Sequence, residues 1–303
     1  MVAIGLNLAV VAGQVGWGLF ARSLGLLADA GHNLADVAGL AIAVIAVRYS
    51  LRAPTMARSY GHHRATILAA LANGALLLTV TGYIAVQAVI RLFHPAHVRG
   101  STVLVVALVA AVLNSVAAML VHEKTTRRPR DLNMSAAVVH LAADAVVSLA
   151  VAVAGLVIML SPKATWVDPA VSLLVCVAIT VQAVRLVHRS VDVLLESTPR
   201  GVDPERVLAA IGEVPTVVDV HDLHVWSLSS EIYAMSAHVA LSGHPTLEQA
   251  QSAADFIKRE VAARFAIGHA TLEMECEACP EPDPCAFDVT HAAGALHPHP
   301  HVR

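Results

Sequence analysis

Hydrophobic positions along this chain fall into six long apolar runs, near residues 2–20, 24–47, 64–91, 100–121, 133–161 and 166–186. Each is close to the 20 or so residues a helix needs to cross a hydrocarbon core of about 30 Å. The pattern predicts six membrane-spanning helices. The first run resembles a secretory signal in position, but it has no basic leader and five further runs follow it, so it reads as a true span. Basic residues mark the cytoplasmic loops. Arg48, Arg52, Arg58 and Arg64 lie between spans two and three, and Lys124, Arg127, Arg128 and Arg130 between spans four and five. The opposite side carries only Arg22, Arg91, Arg99 and Lys163. Both termini are therefore expected in the cytoplasm, on a multi-pass protein of the cell (inner) membrane.

After span six the periodicity changes. Asp203-Pro204 is a helix start, with an acid at the N-cap and proline at the first helical position. Val218, Val220, Leu223 and Val225 read as a strand whose phase slips at His221-Asp222, as at a bulge. Tyr233, Met235, Ala237, Val239 and Leu241 alternate cleanly as a second strand. Thr246 with Gln249 forms a capping box opening a helix, and Ala270, Leu272 and Met274 alternate as a third strand. The order αββαβ predicts a small α+β unit of ferredoxin-like or metallochaperone-like type, one sheet covered by two helices. The domain reading is a membrane domain over 1–195, a soluble domain over 201–285, and a disordered His-rich tail over 286–303.

Composition agrees with a bilayer protein: 56% of the residues are hydrophobic and 14% charged, against roughly a quarter charged in soluble domains. Aromatics are 4%, so the apolar mass is Ala, Val and Leu, suited to close helix packing and not to a β-barrel's aromatic girdles. Cys276, Cys279 and Cys285 crowd together, which points to a metal or redox cluster and not to a disulfide framework.

Chemistry enters inside the spans. His32 and Asp36 in span two, and His140 and Asp144 in span five, are each spaced i, i+4 and so share a helix face. Facing one another, these helices present two imidazoles and two carboxylates to one point, a tetrahedral zinc set. A hydrogen-bonded helix contact is the blander reading, but ionisable groups in lipid cost several kcal/mol by most estimates and mark ion pathways. Mixed nitrogen and oxygen ligands favour zinc, cadmium or cobalt over magnesium or calcium. Without metal the two carboxylates would share a poorly solvated cavity and take up protons, which metal binding would release. Alternating exposure of such a site gives a metal/proton antiporter. Asp29 could be an outer-mouth ligand, a partner behind the ligands, or a cap. Asp168 reads as the N-cap of span six, Cys176 as packing, and Asn114 as a bridge between helices.

The segments SLGLLADAGHNLADV (23–37), YGHHRATILAAL (60–71), HLAADAVVSLAV (140–151), DPAVSLL (168–174) and VHDLHVWSL (220–228) together resemble the cation diffusion facilitator family. The resemblance runs from about residue 5 to 285. It implies a homodimeric zinc/proton antiporter with its transport site at His32, Asp36, His140 and Asp144, and soluble domains that form much of the dimer contact. It further implies that His221, His238 and Glu275 ligate regulatory metal. His238 and Glu275 lie opposite the apolar face of their strands, which fits. Cys276-x-x-Cys279 has thiolate ligand spacing, with a redox pair as the competing reading. His224 and Trp226 read as structural.

Several features depart from the family. Its members usually carry a leader before the first span, so the start given for this chain reads as late. Thr55 and Arg58 stand where some members place loop-metal ligands, leaving His62 and His63. The His-rich element is the tail, with His297, His299 and His301, a metal-loading segment or a neutral spacer. Zn2+ is the expected cargo and possible regulatory ligand, Cd2+ or Co2+ being possible too, and nothing points to nucleic acid. A membrane metalloenzyme fits poorly, since four ligands close the shell and no HExxH occurs. A membrane metal sensor without transport is the remaining alternative.

Overall fold

The computed structural model describes residues 2–126, 132–230 and 232–276. The chain divides into two compact units, Met1–Leu194 and Leu195–Arg303. Among the described residues the first holds six helices: α1 (Val2–Ala21), α2 (Leu24–Ser50), α3 (Ala65–Phe93), α4 (Gly100–Thr126), α5 (Leu132–Leu160) and α6 (Val167–Leu194). Helices α2 to α6 are long and apolar enough to cross a membrane, and α1 contributes a shorter apolar stretch over Val10–Ala21. Large apolar side chains such as Ile45, Val105, Val146 and Leu174 stand exposed. That is the surface lipid requires, because helices satisfy their own backbone there.

Polar and small residues decide how the helices meet. Ser23 caps α2, its hydroxyl accepting from Leu26 N at 3.2 Å. Asp168 does not cap its own helix as the sequence led us to expect. It lies in the first turn of α6, and its carboxylate reaches across to α2, accepting from Ser23 Oγ, from Leu24 N at 2.8 Å and from Gly25 N at 3.4 Å. An acid beside a helix start invites that cross-cap as readily as a local one, since any helix N-terminus offers unpaired N–H groups. Against α5, α4 packs backbone to backbone: Cβ atoms built on Gly100 and Gly155 would meet main-chain atoms of the other helix. Cys176 is buried with Ala28, Ala35, Leu77, Ile84 and Ile179, as packing. Asn114 is buried, but its Nδ2 has no hydrogen-bond partner among the described residues, so the expected amide-donated bridge is not seen.

The second unit runs α7 (Pro204–Gly212), β1 (Val217–Ser227), β2 (Tyr233–Leu241), α8 (Leu247–Phe265) and β3 (Ile267–Glu275). Asp203 caps α7 by accepting from Glu205 N at 3.1 Å. The Thr246–Gln249 capping box opens α8. The sheet order is β1-β2-β3, with β1 and β2 antiparallel and β2 and β3 parallel. A parallel pair needs a crossover, which α8 supplies. Val207, Ile211, Met235, Val239, Ile257, Val261 and Ile267 fill the core beneath the sheet. The register of β1 shifts between His221 and His224, and Asp222 adopts φ +49°. A bulge was expected there, and aspartate tolerates the left-handed region better than most residues.

Candidate metal sites

Helices α2 and α5 contact one another in the first unit, and the two His-Asp pairs meet at that contact. His32 Nε2 lies 3.6 Å from Asp36 Oδ2 and 3.5 Å from Asp144 Oδ1, while His140 Nε2 lies 3.1 Å from Asp36 Oδ2 and 3.6 Å from Asp144 Oδ2. Zinc held tetrahedrally at about 2.0–2.2 Å would place its ligand atoms about 3.3–3.6 Å apart. The observed spacings are close to that edge length. His32, His140 and Asp144 each offer a ligand atom within 4.8 Å of the others. Among the described residues, Asp36 Oδ2 and His32 Nδ1 are buried without a hydrogen-bond partner. Electron-rich atoms converging in this way are suited to a cation.

Access is uneven. His32 and Asp144 are buried, whereas the side chain of Asp36 is 24% exposed and that of His140 is 44% exposed. The more exposed side of the group is that of Asp36 and His140.

Asp29 is not at the site. It is fully buried and accepts from Gln14 Nε2 at 2.6 Å and Ser148 Oγ at 2.8 Å. Gln14 in turn accepts from Asn33 Nδ2 at 3.2 Å. Sequence reasoning passed over Gln14 and Ser148. The signals were there: Gln14 is an amide in an otherwise apolar stretch, and Ser148 follows Asp144 by one helical turn.

A second cluster forms on the sheet of the other unit. His221 on β1 and His238 on β2 are register partners, with ring centroids 5.3 Å apart. Glu275 on β3 reaches both, Oε2 to His221 Nε2 at 3.5 Å and Oε1 to His238 Nδ1 at 3.0 Å. Among the described residues, His221 Nε2 and Glu275 Oε2 are buried without hydrogen-bond partners. Three further acids surround the histidines. Asp222 and Glu273 approach His238 Nε2 at 3.6 and 3.4 Å, and Asp219 approaches His221 Nδ1 at 3.0 Å. None of the three was singled out from sequence. The phase slip at Asp222 was the available sign, because the bulge turns this carboxylate toward the histidines. Cys276 is an exposed free thiol, and Cys279, Cys285 and the tail histidines lie outside the described residues. His224 pairs with Asp222 Oδ1 at 2.7 Å and is largely exposed, while Trp226 sits half-buried opposite Ala234.

The loop between α2 and α3 has a different character. Arg58 donates to the Tyr49 hydroxyl at 2.9 Å, Arg52 lies 4.7 Å over the Tyr49 ring, and His62 packs edge-on against that ring. Burial of the ring nitrogen, with the positive Arg58, Arg52 and His63 beside it, holds His62 below the ordinary histidine range. Among the described residues, neither His62 nor His63 joins a group that could hold a metal.

Comparison with known proteins matches residues 1–195 to the family model described as cation efflux transmembrane domain, and residues 199–277 to cation efflux protein, cytoplasmic domain. The chain is 33% identical to the zinc transporter ZitB of Escherichia coli, over 93% of this chain and 88% of that protein. It is 30% identical to the cadmium, cobalt and zinc/H(+)-K(+) antiporter of Bacillus velezensis, over 86% and 82%. With the metal cation efflux system protein CzcD of Cupriavidus metallidurans it shares 30% identity, over 93% and 87%.

Proposed function

The chain belongs to the cation diffusion facilitator family of metal efflux transporters, and from that membership we propose that it exports zinc from the cytoplasm in exchange for protons at His32, Asp36, His140 and Asp144. The observation that carries the reading is the meeting of two His-Asp pairs from two helices of the membrane unit, with four N···O distances of 3.1–3.6 Å. Two carboxylates neutralise a divalent cation, and two imidazoles set the preference for zinc, cadmium or cobalt over hard cations. The relatives named for zinc, cadmium and cobalt transport agree with that ligand set. Protons and metal compete for the same lone pairs, so loading the metal releases protons and unloading takes them up. Coupling then follows from exposing the site to one side at a time.

In this reading both termini are cytoplasmic. Residues 1–195 form the membrane domain, residues 201–285 form a metal-binding and dimerisation domain, and residues 286–303 form a tail. The working unit is a homodimer in the bilayer. His221, His238 and Glu275 hold regulatory zinc, with Cys276 and Cys279 as further donors.

Zinc flux into proteoliposomes, read with an entrapped zinc dye, tests the proposal. The intact protein should move zinc faster when an opposing pH gradient is imposed, and the His32→Ala and Asp144→Ala variants should lose flux while keeping their far-ultraviolet spectrum. Zinc flux indifferent to the gradient refutes antiport. No flux from the intact protein favours a sensor.

A further inference from the structure

The membrane unit buries a second polar cluster that the cation site does not use. Asp29, Gln14, Asn33 and Ser148 are all at most 3% exposed. They come from three helices and close one hydrogen-bonded chain, from Asn33 Nδ2 to Gln14 Oε1, from Gln14 Nε2 to Asp29 Oδ2, and from Ser148 Oγ to that same oxygen. Burying a carboxylate and two amides in an apolar unit is costly even when they are paired. Their placement gives them a role.

Asp29 precedes His32 by three residues on α2, and Ser148 follows Asp144 by four on α5. Successive spans alternate in direction, so α2 and α5 are antiparallel, and both residues lie one turn from the cation site on its same side. The Asp29–Ser148 hydrogen bond, 2.8 Å long, thus pins α2 to α5 beside the point where His32 and Asp144 face each other at 3.5 Å. Gln14 ties that junction to α1, and its second bond holds Asn33, the residue next to His32. The braced half of the site is the buried half. Among the described residues, the bonds of this chain end on none of the four ligand residues, so it bears on the site through the packing of the helices.

We propose that Asp29 is a positioning residue for the cation site: through Ser148 it fixes the register of α2 against α5, and through Gln14 it anchors both to α1, so that His32 and Asp144 stand ready for the cation. This rests on the transport site proposed above. Groups bonded directly to metal ligands typically contribute 10–100-fold in affinity or activity; Asp29 acts one bond further back, so its effect falls at the lower end of that range and on zinc capture.

Initial rates of zinc entry into proteoliposomes, measured against zinc concentration for the full-length protein, test it. Asp29→Ala and Ser148→Ala should each raise KM by about ten-fold with a smaller change in maximal rate. Combining them should do no more than Asp29→Ala alone, because both remove the same bond. Asp29→Asn keeps a carbonyl acceptor for Ser148 and Gln14 and should restore most of the lost affinity. An unchanged KM in Asp29→Ala, multiplied effects in the double variant, or an Asp29→Asn protein as impaired as Asp29→Ala would each overturn the proposal. That last result would mean that the charge itself acts on the cation. Should Asp29→Ala fail to fold, Ser148→Ala removes only one hydroxyl and carries the test. His32→Ala and Asp144→Ala run alongside: zinc transport surviving in them sinks the site itself, whereas its loss there with a normal Asp29→Ala KM sinks the positioning role alone.

Discussion

Alanine at Gly155 probes how closely α4 and α5 approach. A Cβ there would stand 2.5 Å from the backbone nitrogen of Leu104 and 3.0 Å from the carbonyl oxygen of Gly100. At Gly100 it would stand 2.6 Å from Met159 N and 2.7 Å from Gly155 O. Ordinary contact begins at 3.4 Å, so either methyl must part the helices by roughly 0.9 Å, a retreat that forfeits a good share of the dispersion contact along the seam. The obstructing atoms are main chain and cannot swing aside as a side-chain tip can. Overpacking costs about 1–3 kcal/mol in well-packed interiors, and the backbone clash places both variants in the upper half of that range. Between helices in lipid, packing of small residues is a principal source of affinity, so little offsets the loss.

The assay is unfolding of the purified protein in mild detergent, driven by added sodium dodecyl sulfate and followed by far-ultraviolet circular dichroism. Gly155→Ala and Gly100→Ala should each lose about 2–3 kcal/mol. Together they should lose at least about 1 kcal/mol less than the sum, because the first methyl opens the gap that the second needs. Gly82, on α3, has nothing within 4 Å of its ideal Cβ, so Gly82→Ala should gain up to about 1 kcal/mol from helix propensity. Single variants within about 0.5 kcal/mol of the parent, or strictly additive losses, would show that the close approach does not hold α4 to α5.

Other outcomes follow from particular contacts. Asp168→Ala removes the acceptor for Ser23 Oγ, Leu24 N and Gly25 N and should destabilise the same protein by about 1.5–3 kcal/mol, whereas Asp168→Asn, which keeps one carbonyl oxygen, should lose less; equal losses would argue against the cap. Calorimetric zinc titration of the full-length His32→Ala protein should still show binding at the sheet cluster and lose it on adding His238→Ala, and persistent binding there would refute ligation by His238. Because metal ligands must be deprotonated, apparent zinc affinity should fall as pH is lowered from about 8 to 6, and zinc binding that ignores pH across that range would remove the basis for proton exchange.

Much of this architecture is local in origin and so was legible in the sequence. Apolar runs gave helices whose ends fall within a few residues of expectation, except that α6 continues to Leu194, well past the predicted 186. Arg185 stands at the end of the predicted run, and His188 and Arg189 follow it on further turns of the same helix. Hydropathy ends a span where charge begins, whereas the backbone ladder does not. The Asp203 and Thr246 caps and the slip at Asp222 were also visible, because each depends on residues only a few positions apart.

Sequence alone determined which side chains share a turn: His32 with Asp36, His140 with Asp144, and hence that two matched pairs exist. Only the tertiary structure decided that α2 and α5 bring those pairs within 3.6 Å, that Asp168 serves α2 and not its own helix, and that Gln14 and Ser148 meet at Asp29. It likewise drew Asp222 and Glu273 toward His238. The reason is one of range. Helical and strand periodicity is written in neighbours three, four or two residues apart, but which faces touch depends on the fit of whole surfaces, set at places such as Gly100 and Gly155 by the absence of a side chain.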